Sequence, residues 1–205
     1  MNMQIRYATD LSAEEYVRQE AWKEARLANC PLHPQGGCGF CKNGTYRRKY
    51  PEGTKVARWY CSEGHTTFGL LPDCLSSRLS GSLNEVEAAV VEVENSPTQE
   101  KAAEKIRLDI ELPGVLRWIR RRVKLVQTAL SMLIELMPSL FSGCDPTISS
   151  FRSTFCVEPV LPELRGHASL YLHLLPPPVG FGPRPEKKKS KKNHFQHKTG
   201  TDPPV

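Results

Sequence analysis

The chain lacks most features that would make its function easy to read. Hydrophobic residues make up 39% of its 205 positions, below the usual globular share, so a modest core is expected. No apolar run is long enough to span a bilayer. The first residues, MNMQIRYATDLSAEEY, contain no apolar signal-peptide core, so a cytoplasmic protein is expected. There is no HExxH pattern, no long-period repeat, and no His-x-Glu followed by Pro-Cys-x-x-Cys. After residue 124 no alternation of strands and helices offers a sheet on which to mount a carboxylate-based nuclease. Asp109, Glu111, Asp145 and Glu163 are scattered instead. The sequence therefore argues against an enzyme.

The cysteines and the positive charge are clustered. Seven cysteines cannot all pair with one another, and four of them fall between Cys30 and Cys61. In a reducing compartment such clustering favours metal ligation over disulfides. The stretch offers three close pairs: Cys30-x-x-His33, Cys38-x-x-Cys41 and Cys61-x-x-x-His65. Thr45–Tyr50 and Val56–Cys61 read as strands around the turn Pro51-Glu52-Gly53-Thr54, with a short third strand at Thr66–Leu71. That hairpin would bring the outer pairs together around one structural zinc ion. Cys30, Cys61 and His65 are the first choice as ligands, with Cys38 or His33 completing the shell and Cys41 last. Glu63 lies inside the last pair but not in a helical metalloprotease pattern, so a closed site is expected rather than a catalytic one. Cys74 reads as core.

The Cys-Pro pair at Cys30, the Asn43-Gly44 step, Arg58-Trp59-Tyr60-Cys61 and Thr67-Phe68 together resemble the zinc ribbon of bacterial insertion-sequence transposases. Two departures are visible. His33 stands where that family has its second cysteine, and Cys61-x-x-x-His65 replaces a Cys-x-x-Cys. The wider run WYCSEGHTTFGLLPDCL also resembles transposase-like proteins with a zinc ribbon followed by a helix-turn-helix. The resemblance implies a DNA-binding protein of mobile-element type, covering the middle of the chain.

Helix signals fill the remainder. Ser12-Ala-Glu-Glu15 and Ser82-Leu-Asn-Glu85 are capping boxes. The first predicts a helix to about residue 28, and the second is followed by Leu83, Val86, Val90 and Val93 at helical spacing. Ser96-Pro97-Thr98-Gln99 starts a third helix with Ala102, Ala103 and Ile106. A break at Leu108–Leu112 leads to a long helix, about 114–137, stopped by Pro138. Asp145-Pro146 opens another with Ile148, Phe151 and Phe155, and a last one is expected over 162–175. The expected architecture is mainly α with a small β zinc ribbon. Its divisions are an N-terminal helix (1–29), a zinc-ribbon module (30–75), a helical region with a helix-turn-helix-like pair (76–140), C-terminal helices (141–178) and a disordered basic tail (179–205).

The formal charge of +6 is concentrated in two blocks, Arg117–Lys124 and the tail. Arg117, Arg120, Arg121 and Lys124 fall at i, i+3, i+4 and i+7, one face of the long helix. No acidic residue interrupts them, and cations near a helix N-terminus oppose its dipole, so an anionic partner such as DNA is expected there. Arg47, Arg48 and Arg58 on the ribbon are further candidates for nucleic-acid contact. Two other readings stand beside this one. The basic face could pair with the acidic helix bearing Glu85, Glu87, Glu92 and Glu94. Alternatively, zinc could support a protein-interaction module, with Leu125–Leu140 as a dimer or partner surface.

Overall fold

The computed structural model describes residues 2–106 and 112–182. The tail beyond residue 182 and most of the break expected at Leu108–Leu112 lie outside the described residues. The elements run β1 (Asn2–Tyr7), α1 (Ala13–Arg18), a 3₁₀ turn (Ala21–Lys23), β2 (Cys41–Arg47), β3 (Lys55–Cys61) and β4 (Thr66–Pro72). Six helices follow: α2 (Leu83–Asn95), α3 (Gln99–Ile106), α4 (Leu112–Leu136), α5 (Pro138–Phe141), α6 (Ile148–Phe155) and α7 (Val160–His167).

The expectation of a mainly α protein with a small β ribbon is corrected here. Helix makes up 43% and strand 16%, and the strands form one four-stranded mixed sheet rather than a hairpin. Its order is β1-β4-β3-β2. The expected hairpin is its β2–β3 half, antiparallel from Cys41↔Tyr60 to Arg47↔Lys55 with a bulge between Lys42 and Thr45. The unforeseen strand is β1, which pairs parallel to β4 from Asn2↔Thr67 to Tyr7↔Pro72. A parallel pairing across such a sequence distance has no turn to announce it.

The N-terminal helix is also shorter than expected. The Ser12 capping box forms, with Glu15 N donating to Ser12 Oγ and Ser12 N to Glu15 Oε2. The helix nevertheless stops at Arg18, and Glu20 takes a left-handed φ of 49°. This bend lets Trp22 turn back onto Tyr16, with ring centroids 5.8 Å apart. Tyr16, Trp22 and Ala25 then pack with Val56, Ala57, Leu70 and Leu71 of the sheet.

The second core is helical. Leu83, Val86 and Val90 of α2 meet Val126, Ala129, Leu130 and Leu133 of α4, Phe141, and Ile148 and Phe151 of α6. Most of the apolar stretch 125–140, proposed from sequence as a partner surface, is therefore spent on this core. Leu140 is exposed. Glu87 is fully buried in α2, where it accepts from Arg152 Nε (2.8 Å) and from the free backbone amides of Val160 (2.9 Å) and Leu161 (2.8 Å) at the start of α7. An acidic side chain at those amides also complements the helix dipole.

Arg165 of α7 joins the two cores. It has 0% exposure and donates to five carbonyls: Pro72 at the end of β4, Asp73 and Leu75 just after it, and Pro178 and Val179 beyond α7, at 2.6 to 3.2 Å. Val179 is buried and Gly182 is packed, so the start of the stretch expected to be disordered belongs to the fold. Pro72 O and Pro178 O also accept from Leu75 N and Ser77 N, so replacing Arg165 with Met would leave three buried acceptors, Asp73 O, Leu75 O and Val179 O, without their donor. Unsatisfied groups of this kind cost about 1–3 kcal/mol each, so Arg165→Met should lower unfolding stability by at least about 3 kcal/mol, with Arg165→Lys in between. Denaturant titration checks this, and a loss below about 1 kcal/mol would refute the clamp.

Candidate metal centre

The centre is built from a loop and the end of a strand. Cys30 and His33 lie on the turn after the N-terminal segment, with His33 N bonded to Cys30 O at 3.2 Å. Cys38 lies on the loop entering β2. Cys61 ends β3, and the turn Ser62–His65 leads into β4. Two bonds tie these segments together: Ser62 Oγ donates to Cys38 O (2.8 Å) and Glu63 N reaches Cys38 O at 3.5 Å.

The three sulfurs and a ring nitrogen of His33 all lie within 4.8 Å of one another. His33 Nδ1 is 3.3 Å from Cys61 Sγ and 3.7 Å from Cys30 Sγ. A tetrahedral zinc with bonds near 2.3 Å needs sulfurs about 3.8 Å apart, so a contraction of under about 1 Å completes the shell. All three cysteines are buried, grouped with Phe68 and flanked by Phe40 and Trp59, which stack at 5.3 Å.

Supporting contacts are in place. Gly64 N donates to Cys61 Sγ at 3.2 Å. A Cβ at position 64 would come within 2.7 Å of Leu32 and 3.3 Å of Cys61 Sγ, so only glycine brings this amide so close without displacing its neighbours. Glu63 Oε2 lies 3.5 Å from His33 Nε2. A carboxylate on the outer ring nitrogen fixes the tautomer that leaves Nδ1 free to ligate.

The charge state of the thiols fits a cation. Burial pushes the Cys30 thiol up, but hydrogen bonds from the His33 ring, the Leu32 and His33 backbone and Cys38 outweigh it and draw it down to about 7. Burial, and hydrogen bonds to the sulfurs of Cys30 and Cys61, push Cys38 up to about 11. Three thiolates cannot share this small volume unless a divalent ion compensates them, and binding it expels the protons.

The fold thus brings Cys30, His33, Cys38 and Cys61 together and leaves His65 out. His65 adopts a φ of 44°, and its Nδ1 is 3.3 Å from Tyr60 Oη. Tyr60 and Cys61 are successive strand residues and point to opposite faces, so a ring beside Tyr60 is turned away from the cluster. Cys41 is exposed at the start of β2, Cys74 and Cys144 are buried elsewhere, and Cys156 is exposed. The role of Glu63 on His33 was not foreseen, although its place between Cys61 and His65 was the available signal.

The arginines divide. Arg117, Arg120, Arg121 and Lys124 are all exposed on α4, whose other face buries Val115, Ile119 and Val126. Arg47 is exposed. Arg48 is turned inward, where Nη2 donates to Leu79 O and burial lowers its pKa. Arg58 is half-buried on the sheet. Arg48 and Arg58 are thus less available to a nucleic acid than their sequence positions suggest.

Compared with known proteins, the chain matches no family model, no curated protein and no solved structure. Among the described residues no helix is long and apolar enough to cross a membrane.

Two outcomes follow from the geometry. Protein purified without added metal should contain one zinc per chain. Cys61→Ser should abolish stoichiometric metal, whereas Cys41→Ser and Cys156→Ser should retain it, as read by elemental analysis. Equal metal loss in all three would refute the ligand set. Glu63→Gln should leave the fold intact and weaken zinc about 10–100-fold in chelator competition.

Proposed function

We propose that the chain is a zinc-stabilised DNA-binding protein in which the Cys30–His33–Cys38–Cys61 centre is structural and the basic face of α4 meets the nucleic acid. The ribbon resemblance adds the suggestion of an accessory or regulatory protein of mobile-element type, without a nuclease domain of its own. Three buried thiolates and the half-buried imidazole of His33 would fill a tetrahedral shell and leave no coordination position for substrate, which supports a structural ion.

The observation that carries the DNA reading is that the neighbouring acidic helix is already engaged. Glu85 accepts from Ser82 N in the capping box (2.7 Å), and Glu87 holds Arg152 and the α7 amides. Glu92 pairs with Lys105 at 2.7 Å, and Glu94 accepts from Ile148 N (2.8 Å) and Ser149 N (3.0 Å). Among the described residues, none of these carboxylates reaches Arg117, Arg120, Arg121 or Lys124. Arg120 Nε instead donates to the neutral Gln99 Oε1 at 2.9 Å. Four cations on one exposed helical face, with no carboxylate partner among the described residues, are suited to phosphates.

If all four meet phosphates, affinity for duplex DNA should fall roughly 100-fold between 50 and 200 mM salt. The double substitution Arg120→Glu with Arg121→Glu should abolish binding while leaving circular dichroism and zinc content unchanged. A folded, zinc-loaded double variant that binds as tightly as wild type would overturn the proposal.

A further inference from the structure

The four cations of α4 are not equivalent. Arg117, Arg121 and Lys124 are exposed, and among the described residues their side chains make no hydrogen bond or ion pair. Arg120 is exposed as well, but its Nε donates to Gln99 Oε1 at 2.9 Å. A guanidinium has only donors, so the Gln99 amide has to present its oxygen here. Gln99 is the first residue of α3, and α3 is seated on α4 through the buried Ala103, Val115 and Ile119. The contact therefore joins two packed helices.

This contact decides how Arg120 meets a ligand. It removes rotamer freedom from a long side chain before any ligand arrives. It occupies Nε, so the Nε–Nη2 fork is closed and the Nη1–Nη2 fork is left. Its acceptor is neutral, so the full positive charge is kept, which a carboxylate at position 99 would cancel. A phosphate accepts a cation from many directions, so holding one arginine of four adds little to phosphate binding. A base edge is different. Guanine presents O6 and N7 side by side in the major groove, and a planar pair of N–H donors held in place matches them.

We propose that Arg120 reads a guanine edge and that Gln99 is its positioning residue, an inference that rests on the DNA-binding reading of α4. Arg120 Nη1 and Nη2 donate to O6 and N7, while Arg117, Arg121 and Lys124 hold adjoining phosphates. On an unmatched duplex the charge of Arg120 still attracts phosphate with the other three. On a matched one its fork takes the base, and the protein acquires a sequence preference.

The test selects a duplex pool with a randomised centre on the full-length, zinc-loaded protein, then titrates the enriched site and its single-base variants. Wild type should enrich a site with one essential guanine. Changing that G·C pair to A·T, or the guanine to 7-deazaguanine, which lacks the N7 acceptor, should weaken binding; the A·T change should do so about tenfold or more. Arg120→Lys keeps the charge but has no planar fork, so it should lose discrimination at that base pair and bind unmatched duplex as wild type does. Gln99→Met fills similar space without an acceptor and should narrow the discrimination about threefold. Gln99→Glu restores an acceptor and should restore the discrimination, at lower overall affinity. Arg117→Ala should weaken all sequences alike and lower the salt slope by about 1. Circular dichroism checks the fold of each variant, and if Gln99→Met does not fold, Arg120→Lys decides the matter. Enrichment of no sequence, or a guanine preference that survives Arg120→Lys, would overturn the assignment while leaving DNA binding in place. Undiminished discrimination in a folded Gln99→Met would overturn the role of Gln99. Failure of wild type to bind the pool at low salt would overturn both this assignment and the DNA reading beneath it.

Discussion

The fold depends on one buried guanidinium. The sheet with its N-terminal cover and the helical bundle each have their own apolar cluster. Arg165 reaches from α7 to carbonyls at and just after the end of β4 and to those that follow α7 itself. Among the described residues no carboxylate touches it in a hydrogen bond. Its charge is solvated by backbone dipoles, which replace the water it has lost. Burial draws its pKa down to about 10, with Asp73 and Cys74 opposing the shift, so the cation persists at neutral pH. Asp73 is engaged nearby by Arg6, with Nε and Nη2 donating at 2.8 Å each. The first strand, the end of the last strand, the last helix and the closing segment thus meet around two arginines.

The metal centre does similar work at the opposite end of the sheet. The loop from Cys30 to Phe40 contains little apolar side chain to bury, and its glycines Gly36, Gly37 and Gly39 all take positive φ. Such a segment gains little from hydrophobic burial and must be fixed by other means. Three buried sulfurs against Phe68, with His33 held by Glu63, give it a point of attachment to β3. A metal there couples the loop to the sheet, so ligand binding and folding are one equilibrium.

What could be read from the sequence was local. Both capping boxes and the core face of α2 are encoded within a few residues and appear where the patterns place them; the hairpin forms too, but its first strand is Cys41–Arg47 rather than Thr45–Tyr50. What could not be read was long-range. β1 carries six residues whose partner strand lies over sixty positions away, and Arg165 resembles any other helical arginine until its carbonyls surround it. The metal cluster fell between these cases. Spacing brought Cys30, His33, Cys38 and Cys61 into consideration but ranked His65 ahead of His33, and only the alternation of side chains at Tyr60 and Cys61 reverses that order.

The same reasoning bears on what a basic sequence means. Net charge counts Arg6, Arg48, Arg122, Arg152 and Arg165 on equal terms with Arg117, Arg120 and Arg121 on the exposed face of α4. In the fold the first five are engaged internally: with Asp73, with Leu79 O, with Ser80 and the Trp118 ring at 3.5 Å, with Glu87 and Glu158, and with the five carbonyls. Their positive charge is spent on structure. Functional positive charge is what remains once those contacts are assigned. Its densest patch is an exposed helical face, Arg117, Arg120, Arg121 and Lys124, whose spacing suits an extended polyanion. Composition cannot distinguish internal from available charge, because the difference lies entirely in which acceptors the fold brings within reach.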